Sequence, residues 1–214
     1  GNVPSDTADG DRAAIIEAAY RGLAAPHTGS VSIAAILSRA GLSTRAFYRH
    51  FDSKHALFLA MLRIESDRVI GRLDRIANDF AGTPVEQLRA WIGEDLDVGR
   101  DPQLRMHATV LDSDEVRAAK GYWEERLHWH AEGQRSLAAI LRRGRQNGSF
   151  PLAKPEDDAV AIGAMVAYEL TRHRDDDPQL WQRVLDRVLD FASRAIGVPG
   201  ARCARRLAVP TATV

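Results

Sequence analysis

The sequence predicts an all-α fold, and three observations support this prediction. Apolar residues recur at steps of three and four along most of the 214 residues, helix-capping residues flank these segments, and no segment sustains the alternation of a strand. With 45% hydrophobic and 27% charged residues, the chain can bury a sizeable core, either as one large domain or as a small domain attached to a larger one.

The chain begins with a polar, turn-rich segment, residues 1–10, which we predict to be a flexible arm. A first helix is expected over residues 9–25, because four apolar residues there lie on one side of a helix: Ile15, Ile16, Ala19 and Leu23. The segment 26–30 contains proline and glycine and ends this helix.

Three capped helices follow. Ser32 is a suitable N-cap for a short second helix, and Gly41 stands where a left-handed residue ends it. Ser43 is expected to cap a third short helix that ends near Phe51. Ser53 is expected to cap a fourth helix whose apolar residues continue as far as residue 80, so this helix is long enough to link two domains.

The remainder of the chain keeps the helical pattern. We expect a fifth helix around Val85–Leu96, a sixth from Asp101, a seventh from about Ser113 to Gln146, an eighth from Pro155, and a ninth that begins after Pro178 and ends near Gly197.

The second and third predicted helices form the pattern on which the functional prediction depends. Two short helices joined by a glycine-containing turn can place a recognition helix in the major groove of DNA. Phe47 and Phe51 are expected to face a core, while the exposed side chains of the third helix are Thr44, Arg45, Tyr48, Arg49 and His50. An ordinary helical hairpin with a solvated cationic face has the same spacing, so spacing alone leaves both interpretations open.

The residues of this segment resemble the TetR family of transcriptional regulators. The similarity rests on the run A-G-L-S-x-x-x-F-Y-x-H-F-x-S-K-x-A-L over residues 40–57, preceded by Ile36 and Leu37. The rest of the chain agrees in its length and in its succession of helices. The resemblance implies a three-helix DNA-binding domain, a larger helical domain that binds a small molecule, and a homodimer formed through the last two helices.

The resemblance also implies roles for individual residues. Thr44, Arg45 and Arg49 would face base edges, and the planar guanidinium of arginine suits guanine O6 and N7. Contacts to the DNA backbone would come from Tyr48, His50, Ser32 and, at the start of the fourth helix, Lys54. For His50 a packed position inside the small domain is the other interpretation, and Tyr48 has a similar one in which only its hydroxyl is available.

Two features depart from the family pattern. Ala46 stands where family members often have a hydroxyl residue, and the arm carries Asp6, Asp9 and Asp11 where many relatives are basic.

The chain has 29 cationic and 29 anionic side chains, so any positively charged surface that binds DNA is local. Residues 11–54 carry a net charge of +3, which a dimer would double.

A ligand pocket is predicted in the larger domain. In the predicted seventh helix, His130 and Gln134 interrupt an apolar stripe, and buried polar groups need partners, of which a ligand is one. The predicted ligand residues are Trp91, Asp95, Met106, His107, Trp123, Leu127, His130, Gln134, Met165 and Tyr168. A helical core whose polar side chains bond to backbone or water is the other interpretation for each of them.

The last two predicted helices are expected to form the dimer interface. The eighth presents small residues that admit close helix approach, and the ninth carries a long apolar seam, which together suit a two-fold symmetric arrangement of four helices. The predicted interface residues are Gly163, Val166, Ala167, Leu170, Trp181, Val184, Val188 and Ala192. A face of this kind can also cover the domain's own core.

These elements give four predicted segments: a flexible arm (1–10), a helix-turn-helix DNA-binding domain (11–56), a ligand-binding and dimerisation domain (57–200), and a C-terminal tail (201–214). We expect a cytoplasmic repressor that binds a pseudo-palindromic, double-stranded operator as a homodimer and is released by a small, mostly apolar molecule. Activation in place of repression stays open. No cofactor and no membrane contact are predicted, and the single cysteine, Cys203, allows no internal disulfide.

The alternative is a metal-binding or enzymatic helical protein. Glu124, His128 and Glu132 follow one another at steps of four, so they share a helix face that suits a metal ion. The sequence has no dinucleotide fingerprint, phosphate loop or nucleophile elbow to complete a catalytic site, so we do not expect an enzyme.

Overall fold

The computed structural model describes residues 4–173 and 177–201, and within these ranges every regular element is a helix, as predicted. The helices are α1 (Pro4–Ala24), α2 (Ile33–Ala40), α3 (Thr44–His50), α4 (Lys54–Asp79), α5 (Pro84–Arg100), α6 (Pro102–Leu111), α7 (Asp114–Arg117), α8 (Tyr122–Gln146), α9 (Pro155–Arg172) and α10 (Pro178–Ala195). None of the described helices combines the length and the apolar character that crossing a membrane requires. The predicted tail after residue 201, with Cys203, lies outside the described residues.

The chain divides into two compact units. The first unit contains Gly1–Gly71 and Val98–Ala131, and the second contains Arg72–Asp97 and Glu132–Val214. Each unit is therefore built from two separate stretches of the chain, and the borders fall inside α4, α5 and α8. The first unit contains the predicted DNA-binding segment, 11–56, together with α6, α7 and the beginning of α8.

Local capping explains where α2, α3 and α4 begin and confirms the predicted caps. The hydroxyls of Ser32, Ser43 and Ser53 each accept a hydrogen bond from the amide three residues later, at 3.1, 3.2 and 3.1 Å. Gly41 ends α2 with φ of 66°, a left-handed conformation that glycine adopts without a steric penalty. The turn between α2 and α3 is thus fixed by residues within the segment itself.

The first unit has one continuous apolar core that holds the three N-terminal helices together. Phe47 from α3 is fully buried and belongs to one cluster with residues of α1, α2 and α4, which include Ile15, Ile36 and Leu57. The core continues into residues 110–122, where Tyr122 is buried. Consequently α6, α7 and the start of α8 share a core with the helix-turn-helix.

Two helix boundaries differ from those predicted. The helix α1 begins at Pro4 rather than at residue 9, because proline is well suited to the first turn of a helix, so the prediction of a flexible arm is wrong for residues 4–10. The predicted seventh helix is divided into α7 and α8, because Gly121 has φ of 89° and ends the helical path before Tyr122. This glycine was the available signal for the break.

The second unit has an interior of its own, in which α9 and α10 pack together. The apolar seam of α10 faces this interior, and its residues Trp181, Val184, Val188 and Ala192 are almost completely buried. On α5, Trp91 is buried as well, and its Nε1 donates a hydrogen bond to Ser136 Oγ at 2.8 Å. Both large aromatic side chains therefore belong to the core of the single chain.

Candidate nucleic-acid interface

The helix α3 presents two distinct faces. Ala46 and Phe47 are buried in the core of the first unit, whereas four polar side chains are exposed: Thr44, Arg45, Tyr48 and Arg49. Positions 44, 45, 48 and 49 lie on one side of a helix with 3.6 residues per turn, so they form a continuous stripe, which we call the α3 stripe. Tyr48 is 55% exposed, so more than its hydroxyl is available.

The cations of the α3 stripe are held only weakly by the protein. The guanidinium of Arg49 lies 3.7 Å from Asp11, but 60% of the Arg49 side chain is exposed, and such surface pairs contribute little. Among the described residues, Arg45 forms no ion pair. Both guanidinium groups can therefore bind an anionic partner with little loss of free energy from broken contacts within the protein.

Two residues at the edge of the α3 stripe are removed from solvent to different degrees: His50 is partly buried and Ala46 is buried. The Nε2 atom of His50 is buried without a hydrogen-bond partner among the described residues, which favours the packed interpretation for that nitrogen. Ala46 is buried, so its own side chain offers no surface to DNA. The hydroxyl of Ser32 accepts the α2 cap bond, and the residue remains exposed, so its hydrogen is still free to donate.

Lys54 is placed against an internal carboxylate. Its Nζ donates to the carbonyl oxygen of Val31 and to Oε1 of Glu115, both at 3.1 Å, and only 24% of the side chain is exposed. Sequence reasoning missed Glu115, which is 61 residues away and has no motif of its own. The phosphate contact implied for Lys54 would require this arrangement to open.

The predicted ligand residues of the first unit are in different environments. His107 is buried, its ring stacks on Tyr20 at 3.9 Å, and its Nδ1 lies 3.0 Å from Oε2 of Glu65. Burial, and then the charge of Glu65, raise the pKa of the Tyr20 hydroxyl. His107 thus has partners within the protein, and Met106 packs against the same core.

The beginning of α8 faces solvent. Trp123 and Leu127 are 57% and 70% exposed, although the stripe they start becomes fully buried at Leu137 and Leu141. His130 is also exposed, yet desolvation and, second, the charge of Arg126 lower the pKa of its imidazole, which favours the neutral ring. The expectation of a uniformly buried stripe is therefore corrected for its first two turns.

Five predicted ligand residues lie in the second unit. Trp91 is bonded to Ser136, Gln134 and Met165 are partly buried, and Tyr168 is 61% exposed. Burial, and then the neighbouring Glu94, raise the pKa of Asp95 to about 6. One cavity of about 570 Å³ is lined by residues of α1, α4, α7 and the α1–α2 loop. Another of about 380 Å³ is lined by α10, the segment after it and Arg89 of α5, and neither cavity is lined by a predicted ligand residue.

The predicted interface residues are divided between the surface and the interior. Val166 and the four α10 residues Trp181, Val184, Val188 and Ala192 are at most 2% exposed, because the seam of α10 packs within the second unit. They are therefore unavailable to a second chain without unfolding. Gly163 and Leu170 are partly exposed and Ala167 is exposed, as are the neighbouring apolar residues Val160 and Tyr168.

The alternative metal site finds no support in the geometry. The carboxylate of Glu132 pairs with Arg135 at 2.8 Å, while Glu124 and His128 are exposed. Within residues 4–173 and 177–201, no three His, Cys, Asp or Glu side chains are grouped closely enough to hold a metal ion.

Comparison with known proteins identifies the segment around the α3 stripe. Residues 15–61 match the family described as bacterial regulatory proteins, tetR family. No curated protein is significantly similar to the chain in sequence.

Several solved structures share the fold. The SmeT–triclosan complex is 25% identical, with a TM-score of 0.73 over 89% of this chain and 96% of that one. A chain assigned to the TetR-family transcriptional regulators, from Mesorhizobium loti, is 16% identical, with a TM-score of 0.68 over 87% and 96%. NalD of Pseudomonas aeruginosa, the secondary repressor of the MexAB-OprM multidrug efflux pump, is 20% identical, with a TM-score of 0.65 over 89% and 98%.

Proposed function

We propose that the chain is a ligand-responsive repressor, because residues 15–61 match the tetR family of bacterial regulatory proteins and 87–89% of the chain shares the fold of solved regulators. It binds a pseudo-palindromic operator as a homodimer and leaves the operator when a small molecule binds. Transcription regulation by a DNA-binding helix-turn-helix is the part common to the family; repression, dimerisation and release are our proposal for this chain.

The α3 stripe is the observation that carries the proposal. It offers two guanidinium groups, a phenol and a hydroxyl on one exposed face, directly after the glycine turn of a helix-turn-helix. Arginine reads guanine through two parallel hydrogen bonds in the major groove, and the phenol suits phosphate or sugar. Because the chain has no net charge, affinity has to come from this local surface.

The homodimer is proposed on the outward face of α9. Val160, Ala164 and Tyr168 follow one another at steps of four and are all exposed in the single chain. An exposed row of this kind, on the helix before the last described one, suits an isologous contact, in which the same surface of two copies is in contact. A two-fold symmetric dimer also suits the pseudo-palindromic operator of the proposal, which has two symmetry-related half-sites.

A small-molecule effector is supported by one similar protein, SmeT, which occurs in complex with triclosan. NalD is named as a repressor, which supports repression but names no effector. In this chain the exposed Trp123 and Leu127, with the neutral His130 on the same helix, offer apolar surface and one hydrogen-bonding group. These features favour a ligand with little charge.

The test of DNA recognition is a selection of bound genomic fragments, followed by mobility-shift titrations on the recovered operator. Arg45→Ala and Arg49→Ala should each weaken operator binding by about 1–3 kcal/mol and relax the preference at one base pair per half-site, because each removes a base-directed guanidinium. Arg183→Ala is the matched control, since Arg183 is an equally exposed arginine on α10. Equal weakening on all duplexes would assign both arginines to phosphates, and a wild-type chain without affinity for any duplex would contradict the proposal.

A further inference from the structure

A single carboxylate on α7 is bonded to both ends of the helix-turn-helix. The two oxygens of Glu115 accept hydrogen bonds from the backbone N–H of Val31 at 3.0 and 3.2 Å, and Oε1 accepts another from Lys54 Nζ at 3.1 Å. The side chain of Glu115 is only 16% exposed. His27 Nε2 lies 3.9 Å from the same carboxylate, on the side of the α1–α2 loop.

The positions of these partners give the contact its meaning. Val31 directly precedes Ser32, the N-cap of α2, and Lys54 is the first residue of α4. Lys54 Nζ also donates to the carbonyl oxygen of Val31, so both backbone groups of Val31 are used. Hydrogen bonds of Glu115 and Lys54 therefore join the two ends of the segment 31–54, which contains α2 and α3.

We propose that Glu115 is a positioning residue for DNA binding, which fixes both ends of the helix-turn-helix to α7, and that Lys54 serves this contact rather than a DNA phosphate. The effect on DNA rests on the proposed function. Charge-assisted hydrogen bonds in a partly buried site are stronger than neutral ones. Loss of the carboxylate removes the acceptor of the Val31 amide and leaves the ammonium of Lys54 with only the carbonyl oxygen of Val31.

The competing role for Lys54 makes opposite predictions. A lysine that clamps a phosphate would have to leave Glu115, so the carboxylate would compete with DNA for the ammonium. Removing the charge of Glu115 would then strengthen DNA binding, and removing Lys54 would reduce the salt dependence by about 0.9 per lost phosphate contact. If the two residues position the helix-turn-helix, substitution of either one lowers the affinity of the chain for DNA, with little change in the salt dependence of binding.

The experiment compares Glu115→Gln, Lys54→Met and the double variant on the selected operator duplex across a salt series. We expect each single variant to bind about tenfold more weakly, the double variant to be no worse than either, and the salt slope to stay at the wild-type value, because the two residues act as one unit. Glu125→Gln is the matched control: its carboxylate pairs with Arg63 of α4 at 2.6 Å in the same unit but does not contact the helix-turn-helix ends. Tighter binding by Glu115→Gln, or a lower slope with Lys54→Met, overturns the inference.

A second measurement does not depend on DNA. Amide hydrogen exchange should be faster over residues 25–35 in Glu115→Gln and Lys54→Met than in Glu125→Gln, because the Val31 anchor is weakened. Unchanged exchange overturns the anchoring even if the operator data agree. Should Glu115→Gln fail to fold by circular dichroism, Glu115→Asp keeps the charge with a shorter reach and must show the same changes to a smaller degree. A wild-type chain that binds no duplex refutes the proposed function and the DNA part of this inference, while the exchange comparison still decides the anchoring.

Discussion

At the scale of single residues, local signals were readable from the sequence and distant partners were not. The caps Ser32, Ser43 and Ser53 were predictable because each hydroxyl bonds an amide three residues later. The partner of Lys54 was not, because Glu115 reaches it only through the packing of α7. A cation in a motif predicts a charge at that place, but the fold decides which anion it meets.

Asp95 gives the clearest pH dependence. Burial and the charge of Glu94 raise its pKa to about 6, whereas an aspartate in the unfolded chain titrates near its ordinary value of about 3.9. Between these values the unfolded state releases a proton that the folded state retains, so this carboxyl lowers stability as the pH rises from about 4 to about 6, and the loss persists above that range.

Asp95→Asn should therefore raise the free energy of unfolding at about pH 7.5, by on the order of 1–3 kcal/mol, and leave it nearly unchanged at about pH 4. Thermal and urea unfolding at the two pH values measure this. Asp67→Asn is the control, because Asp67 is an exposed aspartate in α4. A gain of the same size at both pH values would show that the substitution acts through packing and not through the charge.

At the scale of helices, the sequence indicated which faces are apolar but not what covers them. The seam of α10 was predicted as an interface, with the domain's own core as the other interpretation, and it is buried within the second unit. The stripe of α8 has the same periodicity, yet it begins exposed at Trp123 and ends buried at Leu141. Amphipathic spacing reports a preference for burial, and long-range packing chooses the partner.

This distinction predicts different outcomes for two charged substitutions. Tyr168→Glu should give folded monomers, because the residue is exposed on the proposed interface of α9, whereas Val188→Glu should lower the melting temperature sharply, because it buries an unpaired charge in the core. Light scattering at micromolar concentration and circular dichroism separate the two effects. Leu127→Glu, at an exposed apolar residue of α8, should change neither. A Tyr168→Glu protein that remains dimeric would move the interface elsewhere, and a monomeric wild type would remove it.

At the scale of the whole chain, the fold was predictable and the composition of its compact units was not. The order of helices and the helix-turn-helix follow from periodicity and caps. The first unit, however, also contains residues 98–131, which follow a stretch of the chain, residues 72–97, that belongs to the second unit. Because α6, α7 and the start of α8 share the core of the helix-turn-helix, we expect substitutions in these helices to alter the packing of that motif. The sequence analysis placed a single border between the DNA-binding domain and the larger domain, at residues 56 and 57. It did not predict that a later stretch of the chain belongs to the first unit.

The proposed regulation involves the whole molecule, because it couples ligand binding to operator binding. If a small ligand lowers operator affinity, the operator must lower ligand affinity by the same factor, because both describe one coupling free energy. We expect a compound from a panel of small apolar molecules to raise the melting temperature by mass action and to weaken operator binding. His130→Leu should reduce this ligand response and leave operator binding and folding intact, since the residue is an exposed, neutral imidazole. His128→Leu, an exposed histidine on the same helix, is the matched control and should respond as the wild type does. Operator titrations with and without the compound, and compound titrations with and without operator, measure the change in each affinity. Unequal changes would mean that the compound does not act through a shared equilibrium. Equal responses of the two histidine variants would exclude His130 from the ligand site.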